Sequence, residues 1–403
     1  MILDTQPRVN PYKPFTEEHE MFRKSVRNFV DKEITPYVDE WEAAEIAPLH
    51  ELFKKMGQLG FLGLNYDEAY GGANADFWFT VILCEELSRC GVGGVPMAIS
   101  VHTDMCTPAL AKYGSHELKE KYLAPALRGE MVGAIAVTEP DAGSDVASIR
   151  TTAKREGDEY VINGSKMYIT NGTQADWICL LARTSSGEDY HGMSLIMVPT
   201  KTPGFIVSKK LKKLGNHSSD TGLLTFENVR VPVSNRIGDE GMGFYYQMEQ
   251  FQIERVVGAI GTVAGAELAV RETIKYCQER KAFGKPLIAN QWIQFKLGEL
   301  LTEIEAAKQL NYYCASLVED AKHNADARDM SVVKIASMCK LKAGRLAREV
   351  ADTCLQFYGG MGYMEETPIS RYFRDSRLIS IGGGADEIML KIIAQMEGMS
   401  QAR

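Results

Sequence analysis

The chain has 403 residues, 45% of them hydrophobic and 24% charged, with a formal net charge of −8. That length predicts two or three domains rather than one core. The acidic balance argues against a nucleic-acid surface, which would carry a basic face, and no apolar run reaches membrane-spanning length.

Residues 1–15 show neither the apolar core of a signal peptide nor an Arg- and Ser-rich transit helix. A cytoplasmic location is therefore expected, with a processed mitochondrial matrix protein as the alternative. From residue 16 to about 129 the apolar residues recur at helical spacing, as in Phe22, Val26, Phe29 and Val30, then Leu49, Leu52, Phe53 and Met56. Thr16 followed by Glu17 and Glu18 reads as an N-cap with acidic first-turn residues. Glycine-rich turns at Gly71, Gly91 and Gly114 separate further helices, so 1–130 is expected to be an all-helical domain.

Between 131 and 240 short β-rich runs appear at 135–137, 160–162, 167–170, 177–181, 194–198, 205–207 and 223–226. Gly, Asn, Asp or Pro punctuates them, as at Asn163-Gly164 and Asn171-Gly172. This spacing predicts a small antiparallel barrel or sandwich. Helical periodicity returns at 241 and lasts to 403, with helices expected over 242–281, 291–322 and 327–357 and a last one from Asp386. A stretch as long as the first of these implies a bundle. Its Gly258, Ala259, Gly261, Ala264, Gly265, Ala266 and Ala269 are expected to let neighbouring helices approach closely. The eight cysteines are scattered without a Cys-x-x-Cys pair, so neither a disulfide framework nor a metal site is read, and a reducing compartment follows.

Four strings carry possible chemistry, and each has an ordinary alternative. In the segment 135–145, Gly143 and Ser144 could present N–H groups and a hydroxyl to a phosphate or polar ring edge, or form a common turn. Tyr168 and Thr170 lie two apart, hence on one side of a strand, where they could meet a flat cofactor or simply pair across strands. The basic cluster from Arg280 to Pro286 could bind pyrophosphate or compensate a helix dipole. Gln356 to Gly360 reads as a helix ending in glycine.

In this order and at these separations the four strings resemble the acyl-CoA dehydrogenase family, from about residue 16 to 398. The resemblance implies a mainly α fold with a β insert: an N-terminal helical domain, a middle antiparallel β-barrel and a C-terminal four-helix bundle. It implies FAD between barrel and bundle, commonly in a homotetramer whose neighbouring subunit completes each cofactor site. By the same likeness Ile135, Val137, Thr138, Gly143 and Ser144 would line the flavin, and Tyr168, Ile169 and Thr170 would cover it. Arg280, Phe283, Gln291, Gln356, Gly359 and Gly360 would meet the FAD of the adjoining subunit, and Ala385, Asp386 and Glu387 would complete the site. A threonine usual in the family is replaced by Ala385. Ser144, Tyr245, Gln252, Arg255, Gly383 and Gly384 would contact acyl-CoA.

Most members of the family carry a catalytic glutamate in the loop occupied here by Gly382, Gly383 and Gly384. A minority, including isovaleryl-CoA and long-chain enzymes, carry it on a bundle helix, in a string similar to Gln252-Ile253-Glu254-Arg255. Both departures occur here, so the resemblance implies Glu254 as the base that removes the α-proton of a thioester. For an arbitrary glutamate, an ion pair on the helix face, here with Arg255, would be the ordinary alternative. Removal of a side chain at Gly383 would make room for a methyl-branched or long acyl chain, and some strings look similar to citronellyl-CoA dehydrogenases. Electron-transferring flavoprotein is the implied acceptor. An oxygen-reactive oxidase or monooxygenase and a non-catalytic acyl-CoA-binding relative are the competing readings. His217 is either a proton donor or a hydrogen-bonded loop histidine, and His102 and His116 support no cluster.

Overall fold

The computed structural model describes residues 14–185, 190–323 and 330–399. The expected helix start at 327 lies outside the described residues. Helix α1 (Glu17–Phe29) opens on a reciprocal cap: Thr16 Oγ1 accepts from the His19 amide, and His19 Nδ1 accepts from the Thr16 amide. A histidine thus plays the return role usually taken by Glu. Val26 and Phe29 of α1 join Leu52, Phe53 and Met56 of α2 (Leu49–Gln58) and Leu83 and Leu87 of α3 (Phe77–Leu87) in one apolar cluster. Helix α4 (Gly94–Ser100) runs on into a π-helical turn, Val101–Met105.

The β region is a single eight-stranded sheet. Its strands are β1 (Gly133–Ala136), β2 (Thr152–Glu156), β3 (Glu159–Thr170), β4 (Trp177–Arg183), β5 (Met193–Pro199), β6 (Phe205–Lys210), β7 (Thr221–Pro232) and β8 (Arg236–Ile237). The order is β6-β7-β3-β2-β4-β5-β8, with β1 also on β4. The edges β6 and β8 are not paired, so the sheet does not close into the expected barrel. It is also mixed rather than antiparallel, because β1 and β2 both run parallel to β4. The β2–β3 hairpin lies between β1 and β4 in the chain and supplies the long connection that a parallel pair requires.

The runs expected as separate strands at 160–162 and 167–170 are one strand, β3. Asn163-Gly164 is a bulge within it, where the register against β7 shifts and Gly164 adopts φ +147°. Strand β4 is buried on both faces, as its unbroken apolar run requires. Trp177, Cys179 and Leu181 face the helices, whereas Ile178, Leu180 and Ala182 face the rest of the sheet.

Helix α5 (Gly243–Glu279) packs against α6 (Gln291–His323) and α7 (Met330–Tyr358), followed by α8 (Pro368–Ser376) and by α9 (Asp386–Met396), which lies on α7. Among the described residues no helix is long and apolar enough to cross a membrane.

Candidate active site

Phe251 of α5, one turn before Glu254, packs against an apolar cluster that also holds Val137 and Ala142 from the loop after β1. Glu254 is partly accessible, but protein crowds its carboxylate enough that burial pushes it up to about 7, against smaller opposing effects from Arg255 and Lys340. Among the described residues no hydrogen bond or ion pair reaches that carboxylate. The ordinary alternative fails here: Arg255 turns its Nη1 to Gln252 Oε1 at 3.0 Å instead, and its Nε has no partner.

The loop opposite is built around glycine. Gly383 has φ +62° and Gly384 φ +94°, in the left-handed region that disfavours side chains. A Cβ added to Gly383 would stand 3.3 Å from Glu254 Oε1. The helix carboxylate therefore occupies the space into which a residue-383 side chain would project. The N–H groups of Gly383 and Gly384 carry no hydrogen bond among the described residues and remain available to an oxygen ligand.

Lys340 was not foreseen. It is 1% exposed, and its Nζ donates to the Gly384 carbonyl. Burial lowers it to about 8, with Asp386 the largest opposing influence and Glu254 a smaller one. Its signal in the sequence is a lysine in the buried stripe Ala336, Lys340, Ala343, Ala347 of α7. Asp386, at the start of α9, pairs with Arg348 at 3.1 Å and is buried, whereas Glu387 is exposed. Ala385 is the N-cap and makes no side-chain cap.

The loop after β1 is held from below. Glu139 accepts from the amides of Arg150 (2.6 Å) and Thr151 (2.9 Å) and from buried Lys166 (2.9 Å). Burial lowers Lys166 to about 8. Thr138 accepts at its carbonyl from the Met167 amide at 2.9 Å. These anchors leave Gly143 and Ser144 exposed at the rim, beyond half-buried Ile135 and Thr138 and buried Val137. Tyr168 does not sit in a flat strand. It has φ +63° at a second register shift of β3 and is 63% exposed, while Ile169 is buried. A bulky residue held in that conformation marks a constrained position.

The other expected residues gather elsewhere. Arg280, Gln291, Gln356, Gly359 and Gly360 are exposed at the opposite end of α5. There Tyr276 and Tyr358 stack at 4.0 Å, and a concavity of about 670 Å³ includes Arg280, Trp292 and Gln356. The hairpin of β9 (Lys281–Ala282) and β10 (Lys285–Pro286) carries Phe283 at its tip, fully exposed at φ +52°. From Glu254 to Arg280 the helix rises ~39 Å. Tyr245 is nine positions before Glu254, ~180° around the helix, and its hydroxyl meets His191 at 3.3 Å; it faces away from the carboxylate. His217 bonds the Lys213 carbonyl at 3.1 Å. His102 is buried between the Gly133 amide and the Ala126 carbonyl, and His116 meets Tyr70.

Along α5 beyond Glu254 lies a mostly apolar cavity of about 220 Å³. Gly258, Gly261 and Gly265 line it, with Leu83, Leu87, Val92, Ile99 and Ile379 on the far wall. These glycines line the cavity, and at Gly261 the missing side chain also admits Ser88, whose Oγ donates to the Gly261 carbonyl at 3.0 Å. No group of three or more potential metal ligands occurs among the described residues.

The chain matches three domain models in succession: acyl-CoA dehydrogenase N-terminal domain over 16–130, middle domain over 134–229 and C-terminal domain over 241–397. It is similar to the mitochondrial long-chain specific acyl-CoA dehydrogenase of Rattus norvegicus, 40% identical over 94% of this chain and 86% of that protein. An acyl-CoA dehydrogenase of Bacillus subtilis is 40% identical over 94% of this chain and 98% of its own. The crystal structure of acyl-CoA dehydrogenase from Geobacillus kaustophilus superposes with a TM-score of 0.89 at 41% identity, covering 96% of this chain and 99% of that one.

Proposed function

The chain belongs to the acyl-CoA dehydrogenase family, FAD-dependent oxidoreductases acting on acyl-CoA, and from that premise we propose that Glu254 is the base for α,β-dehydrogenation of a medium- or long-chain acyl-CoA to the trans-2-enoyl-CoA. One observation carries this reading: the Glu254 carboxylate, unpaired among the described residues, stands 3.3 Å from a Cβ built on Gly383.

The surfaces expected to hold FAD suit a dinucleotide. No heavy atom lies within 4 Å of a Cβ built on Gly143, Gly359 or Gly360, Tyr168 offers an exposed ring, and Arg280 offers a cation. When bound, FAD supplies the acceptor for the β-hydride. The ring-side residues Thr138, Ser144, Tyr168 and Thr170 would lie at one end of α5, and Arg280, Phe283, Gln291 and Gln356 at the other. The ~39 Å between these ends is more than one dinucleotide spans, which supports a homotetramer in which neighbouring chains complete each site. Exposed Phe283, Trp292 and Phe295 provide apolar surface for such an interface. We take 1–130, 131–240 and 241–403 as the corresponding domains.

The chain's own groups divide the work. Glu254 takes the α-proton, and a carboxylate near 7 is matched to that task because it is half-ionised at working pH. The unpaired N–H groups of Gly383 and Gly384 would steady the charge developing on the thioester oxygen. Lys340 holds that loop through the Gly384 carbonyl. Gln252 and Arg255 brace the helix turn, and Tyr245 would serve only the CoA portion. The part of α5 that lines the cavity runs from Val257 to Glu272, a rise of ~22 Å, which supports a long acyl chain.

The test is anaerobic bleaching of the purified holoprotein with acyl-CoAs of graded length, followed by re-oxidation with electron-transferring flavoprotein or with oxygen. The reading expects bleaching, with the flavoprotein reacting faster. No bleaching with any acyl-CoA, or bleaching undiminished in Glu254→Gln, would refute it.

A further inference from the structure

The cavity beside α5 contains a carboxyl that dehydrogenation of a plain hydrocarbon chain does not require. Asp104 lies in the π-helical turn Val101–Met105, and such turns re-aim side chains and recur at functional sites. With Ser100 and Thr103 of the same stretch it lines the cavity. Its Oδ2 accepts from Ser100 Oγ at 3.1 Å and from Thr103 Oγ1 at 2.7 Å. No cation pairs with it among the described residues, and its Oδ1 accepts no hydrogen bond.

The other acidic groups on the cavity wall are already engaged. Asp375 accepts from the amides of Gly93 and Asn216, and Glu272 pairs with Lys275 at 2.6 Å in an exposed position. Asp104 lines the same cavity with its Oδ1 unengaged among the described residues, and it is a carboxyl where the other unpartnered oxygens on that wall, Asn216 Oδ1 and the Tyr372 hydroxyl, are neutral. A carboxyl facing methylenes there would lose hydration and gain nothing in return.

This argument rests on the cavity being the acyl pocket of the preceding section. We propose that Asp104 selects acyl-CoA substrates bearing a hydroxyl on the chain beyond the β-carbon, that hydroxyl donating to Oδ1 while Ser100 and Thr103 hold Oδ2. The carboxyl is a specificity determinant and takes no part in proton removal. Burial raises it to about 6, although the Thr103 and Ser100 hydroxyls oppose the shift; the group is thus poised to accept from a neutral donor.

The experiment compares dodecanoyl-CoA with isomers carrying one hydroxyl at successive positions from C5 to the terminus. Flavin bleaching is read as kcat/KM for the wild-type holoenzyme, Asp104→Leu and Asp104→Asn. One hydroxylated isomer should exceed the parent by about tenfold to a hundredfold in the wild type, as expected for a hydrogen bond to a charged acceptor. Asp104→Leu should reverse that order. If Asp104→Leu loses its flavin, Asp104→Asn and the wild-type series decide. A parent that reacts at least as well as every isomer overturns this inference alone. A chain-wide failure to bleach, parent included, overturns the dehydrogenase reading with it.

Discussion

Two stripes of α5 are built from similarly small residues and do opposite things. Glu254, Gly258, Gly261 and Gly265 recur at four, three and four positions and form one face. Val256, Ala259, Val263, Ala266 and Val270 recur at three and four and form another, all within 3% exposure. On the second face the small side chains interlock with α6 and α7, the core of the bundle. On the first, Cβ atoms added to Gly258, Gly261 and Gly265 would find their nearest neighbours at 3.6, 3.4 and 3.7 Å, ordinary contact distances or close to them. Glycine there makes room, whereas alanine opposite makes contact. The difference teaches that a small-residue stripe has no single meaning until its neighbours are known.

The largest effect should come from the head of the open stripe. Glu254→Gln keeps size and hydrogen-bonding capacity but cannot accept the proton, so flavin reduction should fall about a thousandfold, read by anaerobic stopped-flow bleaching. The same change should alter stability in a defined window. The folded carboxyl titrates near 7 rather than at the ordinary 4.5, so its contribution is full below 4.5 and is lost as pH rises toward 7. Glutamine should remove that loss, and urea midpoints at pH 5 and 8 should move closer together.

Gly261→Leu should come next. It fills the cavity midway, so kcat/KM for long chains should drop by about a hundredfold, while a four-carbon substrate stays within about twofold. Equal losses for both would show that the cavity does not receive the chain.

On the closed stripe, Ala266→Leu overpacks the bundle and should cost about 1–3 kcal/mol of stability in urea titration without changing chain-length preference. A changed preference would erase the contrast between the two faces.

The smallest effect is electrostatic. The kcat/KM profile should rise through about 7 as Glu254 ionises. Lys340→Met, which removes a nearby positive charge, should move that inflection upward by about one unit or less. A downward shift would mean that Lys340 acts on the carboxylate only through the Gly384 loop.

Much of this was readable in advance, for identifiable reasons. Thr16 announces its helix because capping is local, and the three bundle helices announce themselves through sustained periodicity. The pairing of Glu254 with an emptied position 383 was legible as a pattern, since both departures are residue identities. The open, mixed sheet was not legible, because strand order and closure are set by pairings between distant residues such as β1 with β4. The bulges at Asn163 and Tyr168 were hidden for a related reason: a glycine or a tyrosine within a β-rich run does not show whether the ladder breaks there. Lys340 and Asp104 went unnoticed because a charged residue in an apolar stripe shows its meaning only once its partners are seen.

Residue identity and spacing were enough to place the family and the helical elements, and to suggest Glu254 as the base. They act through local hydrogen bonding and periodic burial, which a linear string records. Only the assembled fold decided that the Glu254 carboxylate stands beside position 383, that one glycine stripe is a cavity wall, and that Glu254 and Arg280 lie at opposite ends of α5. Those are distances between segments far apart in the chain, and packing of the whole molecule sets them.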